Sequence, residues 1–259
     1  MNEHEIRRQE HLEQALHLGG QLPPDAFVSH ESAAIIRGWA TYDVPAAVRI
    51  SRTRGHGVKT SDVHVFRAGL RPQDRDVFAG VPVTSGARTV VDLGRRLPFA
   101  QALVTADAAL RAGVRRGDLE DVLRHQWTWP RIRHAMSVVR HADALSESAL
   151  ESFTRGRFIV LRLPMPELQR NVYGTRGWVA RTDFLWPEHA VAGEADGKVK
   201  YLTEEIWAEK QRQDNIEDAG KLVIRWVWRT AHAPDEEFAR RLLNKLELGL
   251  ALKQLRASA

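Results

Sequence analysis

The stretch DFLWPEHAVAGEADGK, residues 183–198, carries Asp183, Glu194, Asp196 and Lys198, residue types that can hold a divalent cation beside a phosphate. Hard cations such as Mg²⁺ or Mn²⁺ take carboxylate oxygens and keep several waters. A water acidified by the metal is a nucleophile near neutral pH, and the same ion offsets phosphate charge. Phosphodiester hydrolysis on this plan needs two or three convergent carboxylates and a lysine or similar group. Convergence is a matter of register. With PEHA as a four-residue turn and 187 opposite 190, paired positions sum to 377. Asp183 then faces Glu194, and Arg181 faces Asp196, because side chains alternate across the sheet. Arg181, Asp183, Glu194, Asp196 and Lys198 share one face; Thr182, Phe184, Trp186, Val191, Ala195 and Gly197 take the other, the better one for packing. A one-residue slip would reverse one strand's set. Like charges directly opposite are destabilising, so an Asp183–Glu194 pair needs a cation between its members, a metal ion or a basic side chain. The same residues also suit a solvated face in which Arg181 and Lys198 are ordinary cross-strand partners.

The elements that must position this hairpin follow from periodicity and punctuation. A helix over 147–160 opens with SALE, the serine-x-x-glutamate spacing of a capping box, and carries Glu151. Strands are expected over 167–173, 177–186 and 190–197, a helix over 203–219, a strand over 222–228 and a helix over 234–255. Before them, 2–18 reads as an amphipathic helix, SHESAAII as a short one with Ser29 at its cap, and AAVRISR (46–52) and DVHVFRA (62–68) as strands flanking a basic, glycine-bearing turn. GVPVTSGARTVVDLGRRL runs from a strand into a helix near Thr84 or Ser85, and further helices are expected over 98–113, 117–126 and 130–142. The boundary between two domains, 1–142 and 143–259, is placed where the new helix start appears. The fold class is α/β (α+β).

Length and composition bound the function. A chain of 259 residues exceeds the usual single-domain size, and 43% apolar with 27% charged residues supports an ordinary core. No apolar run is long enough for a membrane span, and the charged N-terminus lacks the apolar stretch of a secretory signal, which suits a cytoplasmic address. The absence of cysteine excludes disulfides, cysteine–zinc sites and cysteine nucleophiles. A net charge of +5, with 31 of 38 basic residues arginine, favours acidic partners such as nucleic acid, although GC-rich coding also enriches arginine. The histidines show neither H-x-x-x-H nor H-E-x-x-H spacing, and no phosphate-loop pattern occurs. Trp178, Trp186, Trp207, Trp226 and Trp228 crowd the C-terminal part, where core packing and base stacking are the alternatives.

The order of elements, with SALE, RTDF, GEADGK and EKQRQDNIEDAGKLVIRWVW, resembles the PD-(D/E)XK endonuclease fold, and more closely its very-short-patch-repair-like domain, over about 143–240. The resemblance implies a restriction-endonuclease-like αβββαβ domain of bacterial origin acting on DNA. It also implies Mg²⁺ or Mn²⁺ held by Asp183, Glu194 and Glu151, with Lys198 or Lys210 on the phosphate. Arg181, Lys210, Arg212 and Arg225 are the candidate nucleic-acid contacts, and for Arg212 and Arg225, which flank the site in sequence, structural ion pairing is the equal alternative. The chain departs from the general pattern at Asp196, where that pattern has lysine. VSHESAAIIRGW, DVHVF and GVPVTSGARTVVDL, within about 27–95, resemble abortive-infection type IV antitoxins (AbiEi). Those are DNA-binding repressors that oppose a toxin, which implies a protein partner for the N-terminal domain. The alternative function is then a DNA-binding regulator with a catalytically silent nuclease fold.

Overall fold

The computed structural model describes residues 3–174, 177–196 and 203–258, and of residues 203–209 the backbone alone. The chain divides into two compact units, Met1–Ala149 and Leu150–Ala259, seven residues beyond the expected boundary.

In the first unit the chain runs through α1 (Glu3–Gly19), β1 (Ala26–Val28), α2 (His30–Ile36), β2 (Val48–Arg52), β3 (Val58–Lys59), β4 (Val63–Arg67), β5 (Arg75–Phe78) and β6 (Val81–Thr84). Four helices follow, α3 (Gly86–Arg96), α4 (Phe99–Arg111), α5 (Arg116–His125) and α6 (Ile132–His141). The six strands form one mixed sheet in the order β3-β4-β2-β1-β6-β5. Its apolar core joins Ala15 of α1 and Ala33 and Ile36 of α2 to Val28, Val48, Ile50, Val81 and Val83. One expectation fails here. The basic turn does not join β2 to β4 as a hairpin, because those strands are parallel. The connecting residues instead form β3, antiparallel to β4, and that crossover restores the strand direction. At α3 the start is fixed by Ser85, whose hydroxyl accepts the Arg88 N–H. Ser29 precedes α2 as expected, but its hydroxyl pairs with the His30 ring at 2.9 Å rather than capping the helix.

The second unit begins with α7 (Ala149–Val160), followed by β7 (Glu167–Gly174), β8 (Gly177–Trp186), β9 (Val191–Ala195), α8 (Thr203–Asp218), β10 (Leu222–Trp226), α9 (Trp228–Ala231) and α10 (Asp235–Ala257). The αβββαβ order expected from the resemblance is therefore present, with α9 and α10 appended. The sheet order is β10-β9-β8-β7, with β9 and β10 parallel and the other neighbours antiparallel. The β8–β9 pairs Phe184↔Gly193, Leu185↔Ala192 and Trp186↔Val191 all sum to 377, the register expected from the PEHA turn.

This register sorts the side chains. Phe184, Trp186 and Val191 join Phe158 of α7, Ile224 and Trp226 of β10, and Phe238, Leu242 and Leu246 of α10 in one core. Phe158 sits centrally, its ring centroid 5.4–5.7 Å from those of Phe184, Trp186, Trp226 and Phe238. Each such ring contributes about 1.5–3 kcal/mol on burial. Leu185 and Ala192, of opposite parity, pack with Val172, Ala180 and Ile216 of α8. Gly193 lets three aromatics close in: a Cβ there would meet Trp226 at 2.9 Å, Phe184 at 3.0 Å and Trp186 at 3.0 Å. The turn is clamped from outside by α10. Its Lys253 Nζ donates to the carbonyls of Pro187 (3.1 Å) and Glu188 (3.3 Å), and Gly249 allows the helix to press against the His189 carbonyl. His189 is thus a turn residue, its Nδ1 3.2 Å from the Leu246 carbonyl. Among the described residues no helix is long and apolar enough to cross a membrane.

Candidate functional site

One step beyond Phe184↔Gly193, the register brings Asp183 and Glu194 side by side, but their carboxylates have different partners. Asp183 Oδ2 accepts the Ala195 N–H at 2.8 Å and so ties β8 to β9 where the backbone pairs end. Asp183 Oδ1 accepts from Gln169 Nε2 at 3.3 Å, and the same nitrogen donates to Glu151 Oε2 at 2.9 Å. Glu151, in the first turn of α7 and only 5% exposed, and Asp183 therefore converge on one amide group.

Gln169 is the member that the sequence reading missed. It lies in β7 between Leu168, paired with Phe184, and Arg170, paired with Thr182, which places it level with Asp183. Its φ is +51°, a left-handed conformation inside a strand, which for a non-glycine residue costs about 1–3 kcal/mol. Extending the cross-strand arithmetic from β8 to β7 is the one signal that could have found it.

Glu194 is also 5% exposed and is held by two guanidinium groups. Arg212 of α8 reaches Oε1 at 2.8 Å, and Arg225, its neighbour in the parallel β9–β10 register, lies 3.6 Å from Oε2. The cation that an acidic pair requires is thus arginine. The same Arg212 donates to the Arg181 carbonyl at 2.6 Å, fastening α8 to β8. Arg181 and Lys210 are exposed residues. Asp196 is half-buried; its backbone N–H bonds to the Trp226 carbonyl at 2.8 Å, and the β8–β9 pairs end at Phe184↔Gly193, short of Arg181 and Asp196. Lys198 and the side chain of Trp207 lie outside the described residues. Of the other tryptophans, Trp186 and Trp226 are core, Trp228 is half-buried, and Trp178, at 63% exposure on β8, is a surface residue.

The donor set bears directly on the metal. A Mg²⁺ ion demands near-octahedral oxygen ligands at close range. Both oxygens of Asp183 accept N–H donors, both oxygens of Glu194 face guanidinium groups, and Glu151 is bonded to Gln169. Among the described residues no group of three histidine or acidic side chains is placed to hold a metal ion. As arranged, the three carboxylates do not fit a shared Mg²⁺ or Mn²⁺.

The first unit holds a second charged cluster, of a different character. Arg88 is fully buried and bonds Asp92 (2.7 Å), the Gly69 carbonyl (2.7 Å) and Asp74 (3.2 Å). Arg71 also binds Asp74, and the Trp129 ring lies 4.9 Å from the guanidinium groups of both Arg88 and Arg95. Burial pushes the Asp74 carboxyl up, but the Arg71 hydrogen bonds and the Arg88 charge outweigh it and hold the group below the usual range. The buried charges of Arg88, Asp74 and Asp92 are matched to one another, so this part of the cluster is a scaffold, while Arg71 also lines a neighbouring cleft with Asp118 and Asp121. Burial also lowers the pKa values of His11, bonded to Ser32 Oγ at 2.8 Å, and of His30.

Two proteins of Mycobacterium tuberculosis, uncharacterized proteins MT2308 and Rv2248, are each 32% identical to the chain over 160 residues, 61% of its length. The chain spans 58% of the length of these relatives. No solved structure matches the chain. The endonuclease resemblance of the C-terminal part has no counterpart among these findings, whereas residues 28–137 match the AbiEi antitoxin C-terminal domain family.

Proposed function

We propose that the protein is an antitoxin-like DNA-binding regulator whose C-terminal unit has a nuclease-type frame but does not cleave. The ion pairing of Glu194 carries this reading. An acid that a nuclease would offer to its metal is neutralised by Arg212 and Arg225. Asp196, where the general pattern has lysine, points the same way. The antitoxin-family match over 28–137 supports the regulatory half and a toxin as protein partner of the N-terminal unit. The arginine-rich composition favours nucleic acid, with phosphate contacts supplying most of the affinity. Lys210 and Arg181, exposed on α8 and β8, remain contact candidates.

The test is a gel shift in chelator, run beside incubation of plasmid with Mg²⁺ or Mn²⁺. This reading expects salt-sensitive binding without metal, equal in wild type and Asp183→Asn, and intact plasmid. Cleavage by wild type that Asp183→Asn abolishes would overturn it.

A metal-dependent nuclease is the second reading. The convergence of Glu151 and Asp183 on Gln169 favours it, because two of its three acids already gather. It requires Glu194 to leave its arginines, and the same plasmid assay decides it.

A further inference from the structure

At the free edge of the second sheet, β10 lies beside a cleft of about 310 Å³ lined by Gln213, Val223, Ile224, Arg225, Arg241 and Lys245. Three of the six are cationic, and among the described lining residues none is acidic. The strand's own polar groups face the same way. Leu222 N–H and the Trp226 carbonyl bond toward β9, so the alternating Val223 and Arg225 turn their N–H and carbonyl groups outward. The outward direction is confirmed at Arg225, whose carbonyl accepts from Arg241 NH2 at 3.0 Å. Arg241 and Lys245, one helical turn apart on α10, thus stand over an edge that presents amide donors. Glu194 offsets part of the Arg225 charge, but it is shared with Arg212, which leaves the neighbourhood of the cleft positive.

We propose that this cleft is a phosphate-binding site taking a phosphodiester of a nucleic-acid backbone. Guanidinium and ammonium groups with outward backbone N–H groups match the tetrahedral, multiply accepting phosphate, and they read charge without sequence. The inference deepens the DNA-binding reading and rests on it for the source of the phosphate. Neither Arg241 nor Lys245 follows from the resemblance; the fold brings them to Arg225.

The test titrates the full chain with a labelled duplex at several salt concentrations, comparing wild type, Lys245→Gln and the double variant Arg241→Gln/Lys245→Gln. Thermal unfolding with and without inorganic phosphate runs in parallel. The double variant is expected to bind about tenfold more weakly, uniformly across sequences, with the slope of log affinity against log salt shallower by about one. Lys245→Gln, which leaves the Arg241–Arg225 bond in place, should show part of that loss at unchanged unfolding temperature. Should wild type bind no duplex while phosphate raises its unfolding temperature and not the double variant's, the cleft stands with a small phosphate as its source and the DNA reading fails. Equal affinity and slope in all three proteins, or no response to duplex or phosphate in any, overturns the proposal.

Discussion

Glu194→Gln separates the two accounts of the C-terminal unit by the sign of its effect on stability. The substitution preserves shape and removes the charge. In the arrangement described, Glu194 is almost fully buried and receives Arg212 at 2.8 Å and Arg225 at 3.6 Å. These contacts are ion pairs, and a buried group that loses its charged partner costs about 1–3 kcal/mol. The Arg212 side chain is 40% exposed and that of Arg225 27%, so solvent tempers the charge left behind. The expected cost is about 1–2 kcal/mol. For a unit of this size that is a fall of about 4–8 °C in its unfolding transition. If Glu194 were instead part of a carboxylate cluster awaiting a metal, neutralising it would relieve like-charge repulsion and raise the transition in chelator. The measurement is calorimetry of both proteins in chelator, repeated with excess Mg²⁺. A higher or unchanged transition temperature for Glu194→Gln in chelator refutes the ion-pair reasoning, and strong stabilisation of wild type alone by Mg²⁺ would do the same.

Three other outcomes follow from packing and charge. Gly249→Ala gains about 1 kcal/mol of helix propensity but drives a Cβ against the His189 carbonyl and to 2.7 Å from Val191, an overpacking cost of about 1–3 kcal/mol, so urea denaturation should show net destabilisation. Arg88→Met removes the fully buried cation that Asp74 and Asp92 share, leaving them Arg71 and Arg95, and a loss of about 3 kcal/mol is expected in the first unit's unfolding curve, with binding by the second unit's cleft a separate readout. Burial holds His11 and His30 below the ordinary value of 6.5, so the unfolded chain binds more protons there. Their contribution is therefore full above about pH 6.5 and is lost as pH falls through the folded pKa values. Unfolding temperature should decline from pH 7 to pH 5, and less steeply in His30→Asn, where asparagine tolerates the positive φ of 53°.

The hairpin was legible because Pro187 marks its turn and apolar, β-prone residues flank it on both sides. Those two signals sufficed to fix the 377 register, since the wrong parity would have buried Asp183 in place of Phe184. What escaped the sequence was whatever depends on a third strand or a distant helix. β1, β3 and β5 are short; β3 and β5 are exposed along their whole length, so neither shows an apolar alternation to detect. The parallel pairing of β2 with β4 follows from a crossover that local pattern does not encode. Trp228, read as the end of a strand, opens the short α9 instead. Trp178 is on a strand but outside the core, 63% exposed, and its indole N–H finds Asn171 at 3.1 Å.

The same division explains why a group of acidic residues does not by itself reveal its chemistry. Facing carboxylates on adjacent strands establish only that positive charge must come near. Whether it is a metal or an arginine depends on residues brought in by other elements. Here α8 supplies Arg212, β10 supplies Arg225, and β7 inserts Gln169 between Glu151 and Asp183. An amide that donates to two carboxylates at once occupies the position a bridging cation would take, without its charge. Gln169→Glu is accordingly the substitution to make: it places a third acid beside Glu151 and Asp183 and removes their shared donor. Metal-free, the variant should be less stable than wild type, because three carboxylates would then crowd one point. With Mn²⁺ it should recover, as the added oxygens satisfy a hard cation. Thermal shift across a Mn²⁺ titration gives the readout. A variant as stable as wild type in chelator would show that Gln169 does not stand between the two acids.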